Sequence, residues 1–105
     1  MFTFETPGVA DLDGFFDAAR RAFPLDPPLG TFRIVWDALA DSLFGGLAAT
    51  NTSRISIVWI DASDFESTSP EEFEIALGVF KQVAVTIAEG RFTDGAPKDL
   101  RVFIA

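Results

Sequence analysis

Histidine, cysteine and tyrosine are absent from this chain of 105 residues. Without histidine and cysteine it can form no disulfide, thiolate nucleophile, Ser-His-Asp triad or zinc site built from Cys and His ligands. The sequence also lacks a glycine-rich phosphate loop and the acidic spacing of a calcium-binding loop. We therefore expect a protein that is not an enzyme and that carries no metal or cofactor.

Long apolar runs and basic residues are both scarce. No stretch reaches the roughly 18 to 20 apolar residues of a membrane span, and the segment from Met1 to Glu5 lacks the basic and apolar regions of a signal peptide. We therefore expect a cytoplasmic protein. Eight Lys and Arg residues against sixteen Asp and Glu residues give a formal net charge of -8. This charge disfavours nucleic acid and anionic membranes as partners and favours a basic protein surface.

Hydrophobic residues make up 49% of the sequence, which is enough apolar material for one core. With no repeat and no long linker, we expect a single domain over residues 1–105. Strand-like patterns cover residues 1–5, 54–61 and 100–105, and helical patterns cover residues 12–23, 31–44 and 71–89. The order strand, helix, helix, strand, helix, strand predicts an α/β fold with a parallel three-stranded sheet in the order 1-2-3.

Turn and capping residues define the predicted boundaries. Asp11 is the expected N-cap of the first helix, which Pro24 ends, and the segment from Pro24 to Gly30 is expected to be an exposed, stiffened loop. Thr31 is the expected N-cap of the second helix, and the glycine pair 45–46 is its expected end. For the third helix, the start signals are a capping Ser69, Pro70 at the first position and Glu72 at the third.

The strand pattern also predicts which sheet face the helices cover. One face is wholly apolar, with Ile55, Ile57 and Trp59 at its centre, so we expect the helices mainly on that side. The opposite face still carries Val58, Ile60 and Phe103. We expect aromatic residues from loops, Phe65 or Phe92, to shelter it.

Two carboxylates lie one helical turn apart at Asp37 and Asp41. Like charges at this spacing oppose helix formation by a few tenths of a kcal/mol, so the pair is a candidate for contacting positive charge on another molecule. For Asp37 the alternative is a surface ion pair with Arg33, one turn earlier. Asp41 has no basic residue three or four positions away. Phe44 follows on the same stripe, either as a core residue or as an exposed anchor.

The run from Trp36 to Leu43, the strand 57–60 followed by Asp64 and Phe65, and a long helix ending in Ala-Glu-Gly resemble the barstar family of intracellular ribonuclease inhibitors. The resemblance covers nearly the full chain and implies a small parallel sheet with helices packed on it. It also implies that an acidic helix and the preceding loop enter the basic cleft of a ribonuclease or nuclease toxin. The partner-binding positions that it implies are Gly30, Thr31, Arg33, Asp37, Ala40, Asp41, Phe44 and Glu89, with the two aspartates at the centre.

The sequence departs from the family pattern at several contact positions. Ala40 stands where the family has an aromatic contact residue, and the tyrosines that precede the helix are missing. The loop from Gly30 to Asp37 is longer, and the acidic contact of the last helix falls on either Gln82 or Glu89. The alternatives to an inhibitor are therefore an interaction domain of the same fold with a non-nuclease partner, or an enzyme.

Overall fold

The computed structural model describes residues 1–29, 36–89 and 96–105. Within them the chain forms seven elements, which we number in order. These are β1 (Phe2–Glu5), α1 (Leu12–Ala22), α2 (Trp36–Ala48), β2 (Arg54–Ile60), α3 (Ser63–Thr68), α4 (Pro70–Ile87) and β3 (Asp99–Ile104).

The three strands form one parallel sheet in the order β1-β2-β3, as the element order predicts. Phe4 is opposite Trp59 in the first pair, and Trp59 is opposite Ile104 in the second. Because side chains alternate across a strand, this register places the predicted apolar rows on a single face. Most of that face is buried, although Ile104 at the sheet edge keeps 50% of its surface exposed.

The helices cover this apolar face and enclose an aromatic core. α1 packs on β1, α4 packs on β3, and α2 packs on α4. Trp59 is completely buried, and its ring lies 5.2 Å from that of Phe4 and 5.7 Å from that of Phe80. Ring pairs at such distances stabilise a core beyond the apolar area that they bury.

The prediction that Phe65 covers the second face of the sheet is wrong. This residue belongs to α3, a short helix in addition to those predicted from the sequence, and it stacks on Phe15 with the ring centroids 5.0 Å apart. It is therefore buried in the core on the helix side. On the opposite face, Val58 and Ile60 are half-buried and Phe103 is 52% exposed. Phe92 lies outside the described residues.

The predicted end of α2 at the glycine pair is also wrong. The helix continues through Gly45 and Gly46 to Ala48. A Cβ on Gly45 would overlap the backbone carbonyl of Asp26, and one on Gly46 would overlap that of Pro24. The glycines are needed for close approach of the loop backbone, and this contact, rather than a helix stop, explains their position. The predicted cap Thr31 lies outside the described residues.

Of the two other predicted N-caps, Asp11 is confirmed and Ser69 is not. Asp11 caps α1 as predicted, because its carboxylate accepts the backbone N–H of Gly14 at 2.8 Å. Ser69 does not cap α4 through its side chain. Its hydroxyl instead donates to the carbonyl of Ala10 at 2.9 Å, which ties the start of α4 to the turn before α1. The long-range contact thus replaces the local cap.

Candidate partner-binding surface on α2 and α4

α2 is divided lengthwise into a core stripe and a solvent stripe. Leu39, Leu43 and Leu47 are fully buried at spacings of four, which anchors the helix on the core. Asp37 and Asp41 are exposed on the other side, as the sequence pattern predicts. Packing of the leucines therefore holds both carboxylates outward, and it outweighs the small repulsion between them.

Trp36 begins α2 between the core and the solvent. The residue is half-buried, with its ring 5.3 Å from that of Phe15 and 5.1 Å from that of Phe16. Its aromatic contacts fix the first turn of α2 against α1. The position of Asp37, the next residue, is thereby set by core packing.

A groove between α2 and α4 passes directly beside Asp41. Its cavity volume is about 270 Å³. Its lining combines a carboxylate, an amide and a hydroxyl with apolar side chains, namely Ala40, Asp41, Phe44, Gln82, Val83 and Thr86. Three of the predicted partner-binding positions thus meet in one concave surface.

Phe44 is half-buried and packs against the core while one side lines this groove. Its position combines the two alternatives left open by the sequence. Ala40 is also half-buried and lines the groove together with Phe44. A side chain larger than alanine at this position would occupy part of the groove.

The charges of the groove are unbalanced. In the part of the chain that the structure describes, neither the carboxylate of Asp37 nor that of Asp41 has an ion-pair or hydrogen-bond partner. The predicted pairing of Asp37 with Arg33 lies outside the described residues, as do Gly30 and Thr31. Asp41 therefore presents an uncompensated carboxylate at the rim of a groove whose lining residues include no cationic side chain.

Of the two candidates on the last helix, Gln82 lies in the groove with Asp41, and Glu89 is not among the lining residues. Glu89 follows the end of α4, where its backbone N–H donates to the carbonyl of Thr86 at 3.1 Å. Glu89 lies seven positions after Gln82, which corresponds to about 10 Å along a helix. The sequence alone could not resolve this choice, because it depends on how α4 packs on α2.

The loop before α2 is fastened to the helix. Asp26 donates its backbone N–H to the carbonyl of Ser42 at 2.9 Å, and Leu29 is buried in the core. The prediction of an exposed loop is correct for Pro24, Pro27 and Pro28 and wrong for Leu29. These anchors place the proline segment alongside the acidic surface of α2.

Within residues 1–29, 36–89 and 96–105, no group of three or more acidic side chains is arranged to hold a metal ion. None of the helices described is both long and apolar enough to cross a membrane.

A family model described as Barstar (barnase inhibitor) matches residues 1–104. The chain belongs to the barstar family. Comparisons with curated proteins and with solved structures gave no significant match. The parallel sheet and packed helices are those that the resemblance to the barstar family implies.

Proposed function

We propose that this protein inhibits a basic ribonuclease or nuclease toxin by inserting the acidic side of α2 into the nuclease active site. The observation that carries this proposal is the exposed carboxylate of Asp41, which has no partner in the described residues and lies at the rim of the groove. A nuclease cleft must bind phosphate and is therefore lined with cationic groups. Asp41 and Asp37 take the place of substrate phosphates.

Membership of the barstar family supports this proposal, because the family is described by its inhibition of barnase. The net charge of -8 supports it independently, since an acidic protein is attracted to a basic cleft and associates with it faster at low salt. The inhibitor acts in the cytoplasm, where it protects the producing cell from its own or a neighbour's nuclease.

Recognition in this chain uses a concave surface. With alanine at position 40, the groove between α2 and α4 is open and takes a projecting side chain of the nuclease, whose positive end meets Asp41. Guanidinium groups form short, charge-assisted hydrogen bonds with carboxylates and suit this role. Gln82 and Thr86 add polar contacts from α4.

Inhibition assays against barnase, as a representative basic ribonuclease, test the proposal. Increasing amounts of the protein are added to the enzyme, and the cleavage of RNA is followed. We expect inhibition that Asp41→Asn weakens at least tenfold. The control is Glu74→Asn, which removes one negative charge from an exposed position on α4 and is expected to change inhibition less than threefold.

If barnase is not inhibited, the protein either inhibits a different nuclease or binds a partner that is not a nuclease. A capture experiment separates these two cases. The protein and its Asp41→Asn variant are used as bait with native lysate and culture medium. Capture of a basic nuclease by the unaltered protein alone supports the proposal. Capture by both baits of a partner without nuclease activity supports the second candidate, an interaction domain. The missing aromatic residue at position 40 is the observation that favours that candidate.

A further inference from the structure

Among residues 1–29, 36–89 and 96–105, no strand pairs with the outer side of β3, so half of the backbone hydrogen-bonding groups of β3 lie at an edge of the sheet. Asp99 donates its N–H to Ser53 at 2.8 Å, and Ala105 donates its N–H to Trp59 at 2.8 Å, so both residues face β2. Successive residues of a strand direct their backbone groups to opposite sides. Leu100, Val102 and Ile104 therefore direct their N–H and C=O groups away from β2.

An apolar groove accompanies this edge on the helix side of the sheet. It has a volume of about 190 Å³ and lies between β3 and α4. The lining is apolar except for one lysine and comprises Leu77, Phe80, Lys81, Ala84, Leu100, Val102 and Ile104. On the other face of the strand, Phe103 is 52% exposed. Both faces of the edge thus offer apolar surface next to backbone groups that pair with no other strand in the described part of the chain.

The opposite edge of the sheet is built differently. β1 has four residues, and the N–H of Thr6 donates to Ile60 at 3.0 Å. By the same alternation, Thr3 and Glu5 point their backbone groups outward on that edge. A short strand with a charged side chain is typical of edges protected against pairing. β3 has its charged residues only at Asp99 and Arg101, so its second half lacks this protection.

We propose that β3 pairs antiparallel with β3 of a second copy of this chain, about a two-fold axis at Val102. In this register Leu100 lies opposite Ile104 of the second copy, and Val102 lies opposite itself. All three outward-facing residues then exchange backbone hydrogen bonds with outward-facing residues. The two three-stranded sheets become one sheet of six strands, and the apolar groove is extended across the axis.

The charges on β3 favour a second copy of this chain as the partner and favour an axis at Val102. Asp99 and Arg101 pair with each other at 3.2 Å, so the charged side chains of β3 itself sum to zero although the chain carries -8. A second copy is repelled least at such a neutral strand. An axis at Val102 places Arg101 opposite Phe103 of the second copy, a favourable cation–π pair. An axis at Arg101 would instead place two guanidinium groups opposite each other, which is unfavourable.

This pairing is independent of the proposed inhibitor function. α4 uses Gln82, Val83 and Thr86 for the groove that contains Asp41, and it uses Leu77, Lys81 and Ala84 for the groove beside β3. The two surfaces lie on different flanks of the same helix. A dimer formed through β3 therefore keeps both copies of Asp41 accessible.

Sedimentation equilibrium over a range of protein concentrations tests the association. We expect a monomer–dimer equilibrium that Ile104→Lys shifts to monomer, because it places a charge at the apolar edge. Val85→Lys is the matched control, since Val85 is 59% exposed on α4 and lines neither groove, and it should dimerise as the unaltered protein does. A monomeric unaltered protein at millimolar concentration, or equal dissociation by both lysine variants, overturns the proposal.

Single cysteines test the register, because the chain has none of its own. Directly opposite residues of a hydrogen-bonded antiparallel pair have Cα atoms about 5.5 Å apart, within reach of a disulfide. Val102→Cys should therefore cross-link two chains under mild oxidation. Two copies of Ile104→Cys would be about 13 Å apart along the strands, and they should not cross-link. Cross-linking of both variants to the same extent, or of Ile104→Cys alone, overturns the proposal.

Discussion

Gly46 lies so close to Pro24 that a Cβ on the glycine would overlap the proline's carbonyl oxygen. One turn earlier on α2, the carbonyl of Ser42 accepts the backbone N–H of Asp26 at 2.9 Å. The loop and the helix are thus in backbone contact over a full turn. Because Asp37 and Asp41 lie on this helix, the glycine contributes to the geometry of the proposed partner-binding surface.

We expect Gly46→Ala to lower the free energy of unfolding by about 1–3 kcal/mol, because the added methyl group forces the loop away from α2. Gly78→Ala is the control. Gly78 is exposed on α4 with no atom within 4 Å of a Cβ, and alanine there should stabilise the helix by about 0.5–1 kcal/mol. Urea denaturation measures both values. Stabilisation by both substitutions would show that the loop does not need the glycine.

Thr6 joins the ends of two strands through a buried hydroxyl. The indole N–H of Trp59 donates to Thr6 Oγ1 at 2.8 Å, and this hydroxyl donates to the carbonyl of Asp61 at 3.0 Å. Thr6→Val leaves the buried indole N–H without a partner and should cost about 1–3 kcal/mol. Thr3→Val, at an exposed position of the same sheet, should stay within about 0.5 kcal/mol. Equal thermal denaturation midpoints for the two variants would contradict this role.

The sheet could be predicted because its signals are local and repeated. Alternation in the strand from Arg54 to Ile60 defines a buried and an open face, and the element order then favours parallel pairing. The end of α2 could not be predicted in this way. Two consecutive glycines normally end a helix, and only the tertiary contact with residues 24–26 explains why these two are inside it. Ser69 is a similar case, since its partner Ala10 is distant in sequence.

The candidate site likewise has one part that the sequence predicts and another part that depends on tertiary packing. The exposure of Asp37 and Asp41 follows from helical periodicity, so the sequence alone predicts it. The groove beside Asp41 requires α4 as its second wall, and its inclusion of Gln82 depends on how two helices pack. A sequence signal for the groove did exist: alanine at position 40, next to the second aspartate, leaves space where a large side chain would fill it.

Asp41→Ala should weaken binding to a basic nuclease by about 2–5 kcal/mol, because it leaves cationic groups of the cleft buried without a partner. Asp37→Ala should cost less, since we expect Arg33 to share its charge. Calorimetry against barnase at low and moderate salt compares the two variants. Substitutions of Glu71 and Glu74, which are exposed, should slow association slightly and lose this effect as salt rises. Near-normal affinity of Asp41→Ala would mean that α2 is not the interface.

Gln82→Glu should raise the affinity for a basic nuclease, because it places a second carboxylate in the groove beside Asp41. The control is Val85→Glu, which adds a charged side chain at an exposed position of α4 outside the groove. Both variants have the same net charge, so long-range attraction increases equally and accelerates association in both. Only Gln82→Glu should also slow dissociation, because its carboxylate contacts the bound partner. Dissociation rates measured by surface plasmon resonance separate long-range attraction from a direct contact in the groove. Equal rates for both variants would mean that the chain is attracted by its overall charge and that the groove between α2 and α4 is not where the nuclease binds.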